Sequence, residues 1–266
     1  MNLWPMPIVC GKDFSFLDAN QAARQLFPAL NTLLPGETIE QVKQFENKSE
    51  LCLLIDGKVK FYKITQTSIL QNNKISAICI VLHDITDKEN ELKNLYEKAT
   101  FDPLMHIYNR ATFFDLADFM LNSDKAKNRS YALLMIDLDH FKLVNDTYTH
   151  SCGDIVLETI AAIVKDHFFQ NDIVGRYGGE EIVVLLEGIS VKQAIDKVET
   201  LRKSIEDTII TYQENKLCIT VSIGIAHSPA GSAHLLDDML VQADSALYKA
   251  KNSGRNRTWL YGESPD

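Results

Sequence analysis

The chain has 266 residues, 45% hydrophobic and 24% charged, with a formal net charge of −9. That length holds two ordinary domains, and the composition is that of a folded soluble protein, which excludes a disordered polyelectrolyte. No apolar stretch is long enough to span a bilayer, and the first residues carry no signal-peptide pattern. Five cysteines, at positions 10, 52, 79, 152 and 218, lack C-x-x-C spacing. They fit reduced thiols in a cytoplasm better than a disulfide framework or a zinc site. Residues 1–86 carry eight Lys+Arg and eight Asp+Glu, so of the totals of 27 and 36 the rest of the chain holds 19 basic and 28 acidic residues. An acidic C-terminal part argues against a nucleic-acid surface, which needs a basic footprint.

Pro7 to Cys10 and Phe14 to Asp18 read as short strands around a Gly11-Lys12-Asp13 turn, and Ala19 to Leu26 as a short helix. Leu51 to Ile55, Val59 to Thr65 and Ile75 to Leu82 read as three strands, with Asp56-Gly57 and Asn72-Asn73 as turn signals. A strand pair, a short helix and three strands, closed by Asp84-Ile85-Thr86, resemble a PAS domain. Residues 1–86 are therefore expected to form a PAS-like α/β sensor, with a short helical middle between Phe27 and Glu50. His83, Cys52, Cys79, Trp4, Phe61 and Tyr62 could line a haem, flavin or small-molecule pocket, or be ordinary core and surface residues. Residues 87–100 read as a linker helix, with Ile85, Leu92, Leu95 and Ala99 at a/d-type positions amid Lys and Glu. Packing on its own domain and pairing as a parallel dimer helix both fit this pattern. The dimer is expected, because the chemistry below needs two subunits.

The rest, 101–266, alternates helices and strands. Leu104 to Asp118 is predicted helical and Tyr131 to Leu138 a strand. Cys152 to Phe168 has helical periodicity through Val156, Ile160, Ile163 and Val164. A hairpin of Ile173 to Tyr177 and Ile182 to Leu186 follows, then helix Val191 to Thr208, strand Leu217 to Ala226, helix Leu236 to Asn252 and a last strand near Thr258 to Tyr261. This is an α+β pattern with an antiparallel-rich central sheet. Two acidic features stand out. The apolar strand runs into Asp137-Leu138-Asp139, where a side-chain period of two places both acids on one face. The hairpin tip reads Arg176-Tyr-Gly-Gly-Glu-Glu-Ile182, where Gly178-Gly179 are expected to supply positive φ and leave room for a large ligand. Glu180 and Glu181 repel each other unless a cation lies between them. Joined with the D-x-D acids they form a hard-oxygen set suited to Mg²⁺ bridging carboxylates and nucleotide phosphates. Each feature alone also fits an ordinary strand end or a solvated turn.

Further motifs follow in order: Asp137-Leu-Asp-His-Phe-Lys-Leu-Val-Asn-Asp-Thr-Tyr-Thr-His-Ser-Cys-Gly-Asp154, the GGEEI hairpin, Val221-Ser-Ile-Gly-Ile225, and Ala243-Asp-Ser-Ala-Leu-Tyr-Lys-Ala-Lys-Asn-Ser-Gly-Arg-Asn-Arg257. Together, over about residues 100–260, they resemble the GGDEF diguanylate cyclases, which share a palm-like fold with nucleotidyl cyclases and polymerases. These enzymes condense two GTP into cyclic di-GMP and release pyrophosphate. The resemblance implies Mg²⁺, two ions per active site with Mn²⁺ as a substitute, bound by Asp137, Glu180 and the Leu138 carbonyl. Glu180 would also act as general base or position the attacking hydroxyl, and Glu181 would help hold the metal or the nucleophile. Lys142 corresponds to the transition-state cation. Phe141 and its neighbours present backbone N–H groups to phosphate. Lys251 and Arg255 correspond to the triphosphate pair, facing the same way if their helix continues through Gly254. Guanine recognition falls to Asn145 and Asp154, with His150 as a further nucleotide contact; Gly153-Asp154 and Asn145-Asp146 would otherwise read as helix caps. One domain holds one GTP, so a homodimer is implied.

The chain departs from the family pattern at four places. Met105-His106 replace Thr-Gly, Thr149 replaces Gly, and Ile182 replaces Phe. The inhibitory product site R-x-x-D reads Phe169-Gln170-Asn171-Asp172, without its Arg. This predicts weak or absent product inhibition. Two other functions compete with the enzyme. A degenerate module that binds GTP or cyclic di-GMP, or regulates by interaction, is opposed by the intact acids and cations, and the lost R-x-x-D Arg opposes a cyclic di-GMP receptor. A cyclase using ATP is opposed by Asn145 and Asp154.

Overall fold

A computed structural model describes the chain except residues 1–4, 12–14, 33, 36, 38–47, 124–125, 169–170, 234 and 264–266. Trp4, Lys12 to Phe14, most of the predicted helical middle, and Phe169-Gln170 therefore lie outside the described residues. The chain divides into two units, Met1–Leu95 and Tyr96–Asp266. No helix among the described residues is long and apolar enough to cross a membrane.

The first unit contains β1 (Met6–Cys10), β2 (Phe16–Ala19), α1 (Gln21–Leu26), β3 (Glu50–Ile55), β4 (Lys58–Gln71) and β5 (Lys74–Asp84). They form one antiparallel sheet in the order β2-β1-β5-β4-β3. Both predicted turns are left-handed, with φ of 50° and 73° at Asp56-Gly57 and 52° and 58° at Asn72-Asn73. This is the backbone that matches strand twist in a two-residue hairpin. The helix starts after Ala19 because Asn20 caps it, accepting the Ala23 N–H at 2.9 Å. Ile8, Phe16, Leu30, Ile80 and Leu82 fill the core. Of the candidate pocket residues, Tyr62 is buried whereas Cys52 and His83 are exposed. The linker residues form α2 (Thr86–Thr100), which buries none of its side chains.

The second unit contains α3 (Arg110–Leu121), β6 (Tyr131–Leu138), α4 (Phe141–Tyr148), α5 (His150–His167), β7 (Ile173–Gly178), β8 (Glu181–Glu187), α6 (Val191–Glu206), β9 (Ile210–Tyr212), β10 (Asn215–Leu217), β11 (Val221–Ser228), α7 (Leu236–Asn252) and β12 (Thr258–Leu260). Its main sheet has the order β12-β11-β6-β8-β7, antiparallel except for β11 with β12. Every residue of the central strand β6 is buried. Ala132, Leu134, Ile136 and Leu138 join a core with Val156, Ile160, Val198 and Leu201 of α5 and α6. Tyr131, Leu133 and Met135 face the opposite core, with Phe113, Ala117, Leu240 and Leu247 of α3 and α7. The result is a sheet between two helical layers. The glycine of Val221-Ser-Ile-Gly-Ile225 explains how closely α7 lies. A Cβ on Gly224 would stand 2.0 Å from the Ala243 carbonyl oxygen and 2.4 Å from the Leu247 nitrogen.

Two predicted elements differ. The helix expected from Leu104 begins only at Arg110. Asp102 accepts the N–H groups of Leu104 at 3.1 Å and Met105 at 2.8 Å, an Asx turn that competes with helix. Asn109 then caps α3 by accepting from Thr112 at 2.9 Å. The strand expected over Leu217 to Ala226 is interrupted: β10 pairs with β9 in a separate ribbon. Between the two, Thr220 serves Asp139, whose N–H donates to the Thr220 carbonyl at 2.9 Å.

Candidate active site

The hairpin tip is built differently from the expectation. Gly178 pairs with Glu181, so the loop is Gly179-Glu180, and a register shift lies between Arg176 and Gly178. Neither glycine has positive φ, which corrects the left-handed turn read from Gly-Gly. Arg176 holds the turn instead, donating from Nε at 3.0 Å and Nη2 at 2.6 Å to the Gly179 carbonyl, and from Nη1 at 2.9 Å to Asp102 Oδ2. Burial would raise the Asp102 carboxyl, but the Met105 N–H and the Arg176 guanidinium bring it below its ordinary value. Arg110 stacks its guanidinium 4.5 Å from the centre of the Tyr177 ring. The glycines matter for clearance: a Cβ on Gly179 would meet nothing within 4 Å, while one on Gly178 would come 3.3 Å from Glu181 Oε2. In the sequence Arg176 stands out only as part of the motif, although a cation two residues before a glycine turn is a signal for such a carbonyl clamp.

Asp137, on β6, stands opposite Glu181 of β8 and Ser222 of β11. It is buried, and Lys251 Nζ reaches its Oδ2 at 2.7 Å. Burial pushes the Asp137 carboxyl up, Lys251 draws it down, and Glu180 and Asp139 push it up again. Glu181 is likewise raised, first by burial, then by Asp137, with Lys251 opposing and Asp244 and Glu180 adding to the rise. Negative charge is thus crowded where β6 ends and β8 begins, around the Lys251 ammonium group, a field that attracts further cations.

Asp139 adds its charge to that cluster, but its own oxygens are engaged elsewhere. Its Oδ1 accepts from Ser222 Oγ at 2.6 Å, and its Oδ2 from Thr220 Oγ1 at 2.7 Å and the Asn256 N–H at 2.9 Å. The two acids do share one face, since Ser222, paired with Asp137, also reaches Asp139; Thr220, Ser222 and Asn256 nevertheless occupy the Asp139 oxygens. Among the described residues, no three His, Cys, Asp or Glu side chains are grouped to hold a metal by themselves. The carboxylates of Asp137 and Glu180 and the strand-end carbonyl of Leu138 are nevertheless hard oxygen donors, which suit Mg²⁺ or Mn²⁺.

The nucleotide candidates lie on α4, on α5 and in and after α7. The α4 N-cap, His140, has φ of 58° and gives no side-chain cap, and the Leu143 N–H already donates to its carbonyl at 2.9 Å, so the Phe141 and Lys142 N–H groups are the ones a helix start offers to an anion. Phe141 is buried and Lys142 exposed. The side chain of Asn145 lies against α5: a Cβ on Gly153 would be 2.0 Å from Asn145 Oδ1. Asn145 therefore packs beside Gly153, the residue before exposed Asp154, with exposed His150 at the start of α5. Two of the departures fall on left-handed backbone. His106 has φ of 54°, and Thr149 has φ of 94° with ψ of 161°. Lys251 and Arg255 do not share a helical face. The helix ends at Asn252, followed by φ of 117° at Gly254 and 62° at Arg255. Asp172 is paired with Lys197 at 2.9 Å, its side chain 7% exposed.

Diguanylate cyclase A of Treponema denticola is 40% identical over 169 residues, 62% of this chain and 45% of that protein. Diguanylate cyclase DgcM of Escherichia coli K12 is 33% identical over 242 residues, 90% of this chain and 56% of that protein. The chain thus spans about half the length of these relatives. Among solved structures, the coiled coil and GGDEF domain of DgcB from Caulobacter crescentus, in complex with c-di-GMP, superposes with a TM-score of 0.61 at 26% identity, covering 66% of this chain and 93% of that one. Residues 99–257 match the family described as diguanylate cyclase, GGDEF domain, and with three fifths of its length matched the chain belongs to that family.

Proposed function

We propose that this protein is a diguanylate cyclase that joins two GTP molecules into cyclic di-GMP and releases two pyrophosphates. The observation that carries this is the crowding of Asp137, Glu180 and Glu181 at the ends of β6 and β8, beside an open glycine turn and Lys251. In each of two equivalent steps the ribose 3′-oxygen of one GTP attacks the α-phosphorus of the other. The bond to the β-phosphate oxygen breaks, and the hydroxyl proton leaves to a base. Glu180, at the tip of the loop, holds the attacking hydroxyl and takes its proton directly or through water. Mg²⁺ or Mn²⁺, held by Asp137, Glu180 and the Leu138 carbonyl, would supply charge neutralisation and ease deprotonation of the hydroxyl. Glu181 supports that set from the opposing strand position. Phosphate oxygens are received by the N–H groups at Phe141, by Lys142, and by Lys251 and Arg255 arriving from different directions. Guanine is read by Asn145 and Asp154, with His150 beside them. Carboxylate acceptors match the N1–H and N2–H₂ donors of guanine, which adenine lacks on that edge.

A homodimer supplies the two GTP molecules, one from each subunit. Exposed Leu92, Leu95 and Tyr96 on α2, 50%, 57% and 66% exposed, support a parallel helix pair as the linkage, because no side chain of α2 is buried in the monomer. The order of strand pair, helix and three strands in residues 1–86 supports a PAS-like sensor that acts through this helix. Weak product inhibition is expected at the former R-x-x-D position, since Lys197 already neutralises the remaining Asp172. The proposed setting is the cytoplasm. Incubating the full chain with GTP and Mg²⁺ tests the function: cyclic di-GMP and pyrophosphate should appear, and ATP should not be converted. Tight GTP binding without turnover would instead establish a regulatory module.

A further inference from the structure

Three consecutive residues after α7 are left-handed: Gly254 at φ 117°, Arg255 at 62° and Asn256 at 47°. Glycine adopts this backbone freely, but Arg and Asn pay in steric crowding, so the turn must be held from outside. The holding groups are visible. Asn256 donates its N–H to Asp139 Oδ2 at 2.9 Å, its Oδ1 accepts from Arg202 Nη1 at 2.6 Å, and its Nδ2 donates to Glu206 Oε1 at 2.8 Å. Arg202, buried in α6, also donates to Glu206 at 2.8 Å and to Glu199 at 3.0 Å. Glu199 in turn accepts from Thr258 Oγ1 at 2.6 Å, on the strand leaving the turn. The chain leaving Arg255 is thereby fixed to α6 and to Asp139 just beyond β6, while Arg255 itself is exposed.

We propose that Arg202 and Asn256 are positioning residues for Arg255, locking the left-handed turn that aims its guanidinium at the GTP phosphates. This rests on the proposal that Arg255 binds the triphosphate. A planar guanidinium that bonds two carboxylates and an amide at once is a rigid bracket, which a lysine ammonium cannot reproduce. Arg202 touches no substrate and acts only through the turn.

The test uses the full chain, with GTP kinetics read as cyclic di-GMP formation and GMP as a competing ligand without the outer phosphates. Arg202→Met is expected to raise KM for GTP about fivefold to tenfold with a smaller change in kcat, and to leave the inhibition constant of GMP within twofold. A merely structural role would weaken GMP as well, which would overturn the proposal. In the double variant Arg202→Met/Arg255→Ala, KM should match that of Arg255→Ala alone; multiplied losses would overturn the proposal. An unchanged KM in Arg255→Ala would instead refute the triphosphate role on which the bracket rests. Should Arg202→Met fail to fold, Asn256→Gly, which tolerates the same φ but loses the side-chain contacts, must raise KM for GTP in the same way.

Discussion

Thr149→Gly is expected to stabilise the protein. Thr149 joins α4 to α5 with φ of 94° and ψ of 161°, a region that glycine occupies and a β-branched residue does not. Its backbone is fully engaged, donating to the Asn145 carbonyl at 3.0 Å and accepting from Cys152 at 3.1 Å and Gly153 at 3.3 Å. The residue therefore cannot relax without breaking the junction that carries Asn145 and Asp154. Such strain costs about 1–3 kcal/mol. Introducing glycine frees the unfolded chain, which offsets about 0.4–1 kcal/mol of that gain. The net stabilisation is about 1.3 kcal/mol, or roughly 3–5 °C in melting temperature for a unit of this size. The assay is thermal unfolding of the full chain, followed on the transition that added GTP raises. His106→Gly is the control: at φ of 54° it lies in the milder left-handed region open to His, so the two effects nearly cancel. A Thr149→Gly melting temperature equal to or below wild type would refute the strain argument.

Gly153→Ala would place a Cβ 2.0 Å from Asn145 Oδ1 and 3.1 Å from Phe141 Cζ. The amide can rotate away at little cost in stability, but a lost guanine contact of about 1–3 kcal/mol should raise KM for GTP roughly 5- to 150-fold. Gly224→Ala meets backbone atoms of α7 instead, so it should destabilise by about 3 kcal/mol or more in denaturant titrations. Asp102→Asn should cost about 1.5–3 kcal/mol at neutral pH by weakening the charged bond to Arg176. The folded Asp102 carboxyl lies below its ordinary 3.8. Its contribution is therefore complete above pH 3.8 and is lost as pH falls through the lower folded value. The stability gap between wild type and Asp102→Asn should close below that point; a gap that widened on acidification would contradict the pairing.

Much of the second unit was legible in the residues. The β6 run and its D-x-D end, the hairpin strands and α7 from Leu236 to Asn252 fall where periodicity puts them, because apolar repeats there coincide with burial on both sheet faces. Long-range side-chain bonds were not legible. Nothing in D-x-D says that Asp139 is claimed by Thr220, Ser222 and Asn256, more than eighty residues away. Nor does Gly-Gly reveal that its turn is held by Arg176 rather than by positive φ. The helix predicted from Leu104 failed because local periodicity cannot see Asp102 capturing the first N–H groups. The condition set on Lys251 and Arg255, that their helix continue through Gly254, is not met, because the glycine takes φ of 117° and ends the helix at Asn252.

The measurement that tests the account most directly is GTP turnover by Glu180→Ala beside GTP affinity. Abolished cyclic di-GMP synthesis with GTP binding largely retained is the predicted result. Wild-type-like synthesis in this variant would contradict the assignment of the hairpin acids as the catalytic centre.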